Sequence, residues 1–379
     1  MRLSIVDVCP VMEGRTPQQA VRDAIGFAQE AEALGFTRYW LAEHHGAGSV
    51  GSQAPEVLIP VIAGETQRIR VGSGAVLLNH YSPLKVAEQF RTLAALFPGR
   101  IDLGTGRAFA GPVADVALMR HRTQRRVDDH REQMVELAAW VAQDMPKDHP
   151  FATVQVMPDM AEMPMLWLLG SSDASPRLAG LLGLRYVFAG FIAPERAVSA
   201  MRSYRQHFEA ARSPAGVRSP EAILAVHVIC AETRAEAERL AMPVRHMYAS
   251  LAQGRIGKRL ASIETAIGAL GSVPPAEQEP WPRFVIGDPD EVRARLLAMA
   301  GETGVEEIMV QDMIVPGDAR RRSWRLLAEA FDLSGAANYP ARPIRIRVRS
   351  RALARNPTEN GPFHGFSRCK CWTLPAIGR

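Results

Sequence analysis

Eight short apolar runs, separated by longer stretches of helical periodicity, constrain this chain more than any other feature. The runs are residues 3–8, 39–42, 69–78, 100–104, 166–169, 185–189, 223–230 and 306–311. Most are rich in β-branched or aromatic side chains and too short for a helix. A strand that returns through a helix pairs in parallel with the next. Eight such units match a closed (β/α)8 TIM barrel, with surplus length as insertions at the carboxyl-end rim. A doubly wound open sheet is the competing architecture, but its G-x-G-x-x-G turn after strand one is missing.

Helix boundaries support the alternation. Thr16-Pro17 reads as an N-cap and first helical residue, and Gly35 closes that apolar stripe. Ser82-Pro83 opens a second helix, which stops at Pro98-Gly99. Asp288-Pro289 with Glu291 forms a capping box. Two intervals, 105–165 and 231–305, exceed simple crossovers and read as rim segments that close over a site.

At 379 residues and 47% hydrophobic, the chain can bury a large core. No run of about 18 apolar residues implies a membrane span. The N-terminus reads as a strand and not a leader, so the expected location is cytoplasmic, with no membrane partner. Cys9, Cys230, Cys369 and Cys371 imply neither a disulfide framework nor a metal site. The net charge of +5 is uneven. Residues 335–379 carry +8 and the rest −3. The expected division is therefore a barrel over 1–333 and a basic, poorly ordered tail over 334–379. Nucleic-acid binding would rest on the tail alone, and none is expected.

Four segments carry possible chemistry. Tyr39-Trp40-Leu41-Ala42 ends in Glu43, His44 and His45. Catalytic groups project from the carboxyl ends of barrel strands, and imidazoles exchange protons near neutral pH. Solvated or hydrogen-bonded structural histidines are the plainer alternative. Val71-Gly72-Ser73-Gly74-Ala75 puts two glycines inside a strand. They make room either for a flat ring system or for tight packing. Gly104-Thr105-Gly106-Arg107 ends strand four with a cation that can fork onto a phosphate, or form a surface ion pair. Gly170 to Pro176 contains Ser171, Ser172 and Ser175, with Ser175 read as N-cap and Pro176 as the first helical residue. Such a helix N-terminus suits a phosphate, or is merely capped. Asp173 would have to point away from an anion.

Taken together, the segments RYWLAEHH, RVGSGAVLLNHYSPLKVAEQF, LFPGRIDLGTGRA, HPFATVQVMPD and LWLLGSSDAS resemble the luciferase-like flavin monooxygenases, most of all their MsnO8-like branch. The resemblance spans about residues 1–333. It implies FMN at the carboxyl-end rim and a non-prolyl cis peptide at Gly74-Ala75. It places the flavin phosphate on Arg107, Ser171, Ser172 and Ser175, and the reactive edge near His44 and His45. Gly106 stands where luciferases carry a cysteine, which argues against efficient light emission. The expected activity is oxidation of a small organic substrate by dioxygen with reduced FMN from a separate flavin reductase, in a chain that resembles frequent homodimers. Hydride transfer with a deazaflavin and flavin binding without turnover are the alternatives.

Overall fold

The computed structural model describes residues 1–108, 111–118, 129–210, 215–255, 259–272 and 279–333. Nine strands occur among them: β1 (Arg2–Asp7), β2 (Arg38–Leu41), β3 (Arg70–Leu77), β4 (Ile101–Gly106), β5 (Met165–Gly170), β6 (Arg185–Ala189), β7 (Ala222–Cys230), β8 (Phe284–Gly287) and β9 (Glu307–Gln311). All pair in parallel. Neighbours run from β1 through β7 to β9, and β9 returns to β1. The sheet therefore closes, which removes the open-sheet alternative. All eight expected strands are barrel staves. The ninth, β8, was not expected; it pairs with the carboxyl half of β7, from His227↔Phe284 to Cys230↔Gly287.

The closure follows from the side-chain alternation. Leu3 and Ile5 face the helical layer, whereas Val6, Trp40, Trp167, Ala225 and Met309 fill the barrel interior. The helices begin where the sequence places them. Thr16 and Asp288 each make a reciprocal capping box, and Gly35 ends the first helix at φ 90°. The two long intervals hold structure of their own. Helices Pro112–Leu118 and His130–Ala142 lie in the first; Arg234–Leu240, Met242–Ala252, Ile263–Leu270 and Pro289–Thr303 lie with β8 in the second.

The amino end of the barrel is sealed by a charged network. Arg38, Arg70 and Glu307 open their strands. Arg38 reaches Asp102 at 2.7 Å and Glu307 at 2.8 Å. Arg70 meets the other Asp102 oxygen at 2.7 Å, and Trp40 Nε1 donates to Asp102 at 2.9 Å. Ser4 donates to Glu307 at 2.6 Å. Burial alone would raise the Asp102 carboxyl pKa, but Arg70 and Arg38 outweigh it and hold it below the usual carboxylate range.

The glycines of β3 and β4 divide by role. A Cβ on Gly72 would lie 2.4 Å from the Asp102 carbonyl, and one on Gly104 2.2 Å from that of Ser73. Strand contact, not room for a ring, explains these two. Beyond them the β3–β4 register shifts between Ser73 and Val76, and the Gly74-Ala75 peptide is cis.

The chain divides into a unit Met1–Arg342 and a second, Pro343–Arg379. Residues 334–379, with Cys369 and Cys371, lie outside the described residues. Among the described residues, no helix is long and apolar enough to cross a membrane.

Candidate active site

The carboxyl end of β2 leads directly into Glu43, His44 and His45. The Glu43 carboxylate turns inward and is buried. Its Oε2 accepts the Leu77 backbone N–H at 3.0 Å, at the end of β3. Its Oε1 accepts the Tyr81 hydroxyl at 2.6 Å and lies 2.6 Å from His45 Nε2. Glu43 thus ties the end of β2 to the segment leaving β3, and fixes His45 by one ring nitrogen. Burial, with the hydrogen bond to Glu43, raises the Tyr81 pKa, so its hydroxyl keeps its proton. His80 stands perpendicular to His45, with ring centres 6.3 Å apart. His80 Nε2 lies 3.3 Å from Asp115.

His44 behaves differently. Its backbone N–H donates to the Ser52 carbonyl at 3.0 Å, but its side chain is exposed. Desolvation by the surrounding protein lowers its pKa from the ordinary value, Glu43 opposes this, and His45 adds to the lowering. The lowered pKa favours the neutral imidazole near pH 7.

Gly74 and Ala75 are half-exposed, whereas the rest of β3 is buried. The β2–β3 register pairs Leu41 with Ser73, so this half-exposed floor of β3 lies at the barrel end where His44 emerges. A Cβ on Gly74 would lie 3.0 Å from the Trp40 ring. One on Gly106 would lie 3.2 Å from Ala75 Cβ, so β4 presents no side chain there.

The register of β4 and β5 pairs Gly106 with Leu169. Arg107 and the 170–175 turn therefore leave the barrel side by side, at the same end as His44. Arg107 and Ser172 are exposed and Ser171 is half-buried. The helix after β5 spans Ala174–Leu181, two residues earlier than expected, with Asp173 and not Ser175 as N-cap. The Ser175 hydroxyl bonds instead to the Ser172 carbonyl and to Tyr186 Oη, both at 3.1 Å. Gly170 permits this, because a Cβ there would lie 2.2 Å from Ser175 Oγ. Pro176 falls at the third helical position, where a missing N–H costs no intrahelical bond. Asp173 makes no side-chain cap, and its carboxylate lies 3.6 Å from Arg196. The first-turn N–H groups are thus left without a side-chain cap.

Tyr81, His80 and Tyr186 were not singled out from the sequence. His80-Tyr81 does follow a barrel strand directly, and that position was the available signal. A separate cavity of about 370 Å³ lies outside this site and touches Arg234, Glu238, Arg245 and Phe284. None of the expected site residues lines it.

A family model described as luciferase-like monooxygenase matches residues 1–307. The chain belongs to the luciferase-like monooxygenase family. The chain is 34% identical over 336 residues to the N-acetyl-S-alkylcysteine monooxygenase of Bacillus subtilis strain 168, covering 87% of this chain and 98% of that one. Its fold is similar to that of apo-MsnO8, with a TM-score of 0.80 and 42% identity, over 88% of this chain and 99% of the other. Weaker likenesses show the fold alone. The oxygenating constituent of 3,6-diketocamphane monooxygenase from Pseudomonas putida, in complex with FMN, gives a TM-score of 0.63 at 22% identity, over 87% and 97% of the two chains. An F420-dependent secondary alcohol dehydrogenase gives 0.61 at 14%, over 87% and 98%.

Proposed function

We propose that this family member oxidises a small organic substrate with dioxygen, using reduced FMN that a separate reductase supplies. One observation carries the reading. The β4–β5 register sets Arg107 beside an uncapped helix N-terminus, at the same barrel end as His44 and His45. The residues fit a flavin mononucleotide. Its phosphate suits Arg107, the Ser171 and Ser172 hydroxyls and the backbone N–H of Ser175. The half-exposed Gly74-Ala75 floor, bare of bulky side chains, suits a flat ring.

Bound reduced FMN supplies the two electrons by which one oxygen atom enters the substrate and the other leaves as water. The chain's own groups do the rest. His44, neutral and accessible, takes or returns a proton at its imidazole nitrogen. Glu43 does not react; it holds His45 and the Tyr81 segment in place. The rim helices keep bulk water away from the floor.

The likeness to an N-acetyl-S-alkylcysteine monooxygenase makes N-acetyl-S-methylcysteine the first compound to test. Purified protein, reduced FMN, a flavin reductase and labelled dioxygen are combined. The expected product carries one labelled oxygen, and His44→Ala slows its formation about 100-fold while FMN still binds. If no member of a thioether, ketone and alkane panel gains labelled oxygen, the proposal fails. Turnover with reduced deazaflavin alone would put hydride transfer in its place.

A further inference from the structure

Across the mouth from His44, β7 carries a histidine outside the site described above. β6 ends at Ala189, paired with Ala225. His227, two residues further along β7, therefore rises past the end of β6 at the catalytic end of the barrel. It alternates with Ala225 and Ile229, both in the interior cluster, and so points inward. Its register partners are Gln311 on β9 and Phe284 on β8. The ring is buried, stacks on Phe284 with centres 5.1 Å apart, and lies 5.3 Å from the Phe191 ring.

The protonation of this histidine is fixed by its partners. Nε2 lies 3.0 Å from Tyr248 Oη. Desolvation pushes its pKa down to about 4; the Gln311 backbone opposes this and Arg283 adds to it. A neutral imidazole has one N–H. Its Nε2 and the Tyr248 hydroxyl therefore share one proton in a single hydrogen bond.

Two observations point from this cluster to a ligand. First, Gln311 follows the same inward alternation as Met309, is 6% exposed, and its Oε1 has no partner. A buried amide oxygen without a donor is costly, and a ligand N–H or O–H arriving there would relieve the cost. Second, half-buried Ala47, Phe191, Met247 and Tyr248 pack on the interior cluster that also holds Trp40 and Ala42. The same apolar cluster therefore takes in residues from the turn after His45 and from the neighbourhood of His227.

Building on the proposed monooxygenase reading, we infer that Gln311, held beside His227 and Tyr248, is the polar end of the substrate pocket and receives an N–H or O–H of the substrate. The substrate class is a small, mainly apolar molecule bearing one amide or hydroxyl donor, its apolar part lying against Phe191, Phe284 and Met247.

The test compares N-butylacetamide with N-butyl-N-methylacetamide, which lacks the N–H. Equilibrium binding of both is measured on the full chain with and without FMN. The wild type prefers the N–H compound about ten-fold, and Gln311→Met removes the preference. Gln311→Asn, which withdraws the amide by one methylene, loses it too and covers the case in which the methionine variant fails to fold. Equal binding of both amides to the wild type, or a preference that survives in either folded variant, overturns the assignment. Failure of FMN to bind sinks the monooxygenase reading instead, and the amide comparison on the unloaded chain still decides this one.

Discussion

The two ends of the barrel use the same kinds of side chain for opposite purposes. At the amino end, Arg38 and Arg70 meet Asp102 and Glu307, all four are almost fully buried, and each charge faces its opposite. At the carboxyl end, Arg107 and His44 are exposed around a half-exposed Gly74-Ala75 floor. Glu43, the carboxylate that follows β2, is buried and takes up donors from Leu77, Tyr81 and the His45 contact. The amino end closes the fold. The carboxyl end leaves Arg107, His44 and a helix N-terminus without a side-chain cap exposed at the rim.

Breaking the amino end has the largest expected effect. Asp102→Ala leaves two buried guanidinium groups without their shared partner, which costs about 3–5 kcal/mol in urea unfolding. FMN affinity of the remaining folded protein stays at the wild-type level. Because the Asp102 carboxyl is lowered in the folded state, its stabilisation is full above the ordinary carboxylate range and is lost as pH falls through the lowered value. A Tm titration below pH 4 reads that loss, and Asp102→Ala lacks it.

The carboxyl end responds the other way. Arg107→Ala weakens FMN binding about 10- to 100-fold, the range of a charge-assisted contact, with Tm unchanged because the side chain is exposed. Glu43→Gln sits between the two behaviours. It costs about 1–2 kcal/mol by loosening the Leu77, Tyr81 and His45 contacts, and it lowers turnover without weakening FMN. The smallest effect is Gly106→Ala. Its new Cβ meets Ala75 at 3.2 Å, so β4 shifts slightly for about 1 kcal/mol in denaturation.

The barrel was legible because it is written in local period. Each short apolar run, and each signal such as the Thr16 and Asp288 caps or the Gly35 stop, is defined by residues only a few positions apart. β8 was not legible, since Phe284-Val285-Ile286-Gly287 is four residues long inside a stretch rich in proline and glycine. The helix start at Ala174 was displaced because Ser175 had a better partner than its own helix, Tyr186 on the next strand. The rim was legible as a set of strand ends. The direction of each side chain was not. Glu43 reads like a catalytic acid beside two histidines, and only the approach of Leu77 and Tyr81 turns it into an anchor. Gln311 and His227 lie 84 positions apart, and only barrel closure pairs them.

The most direct test of the rim is a comparison of FMN with riboflavin, which differ only in the phosphate. Both are titrated in reduced form, without oxygen, against the full chain. Binding through Arg107 and the 171–175 turn predicts that FMN binds at least ten-fold more tightly and that added salt narrows the gap. Equal affinity for the two flavins would contradict the account, because nothing at that rim would then be holding a phosphate.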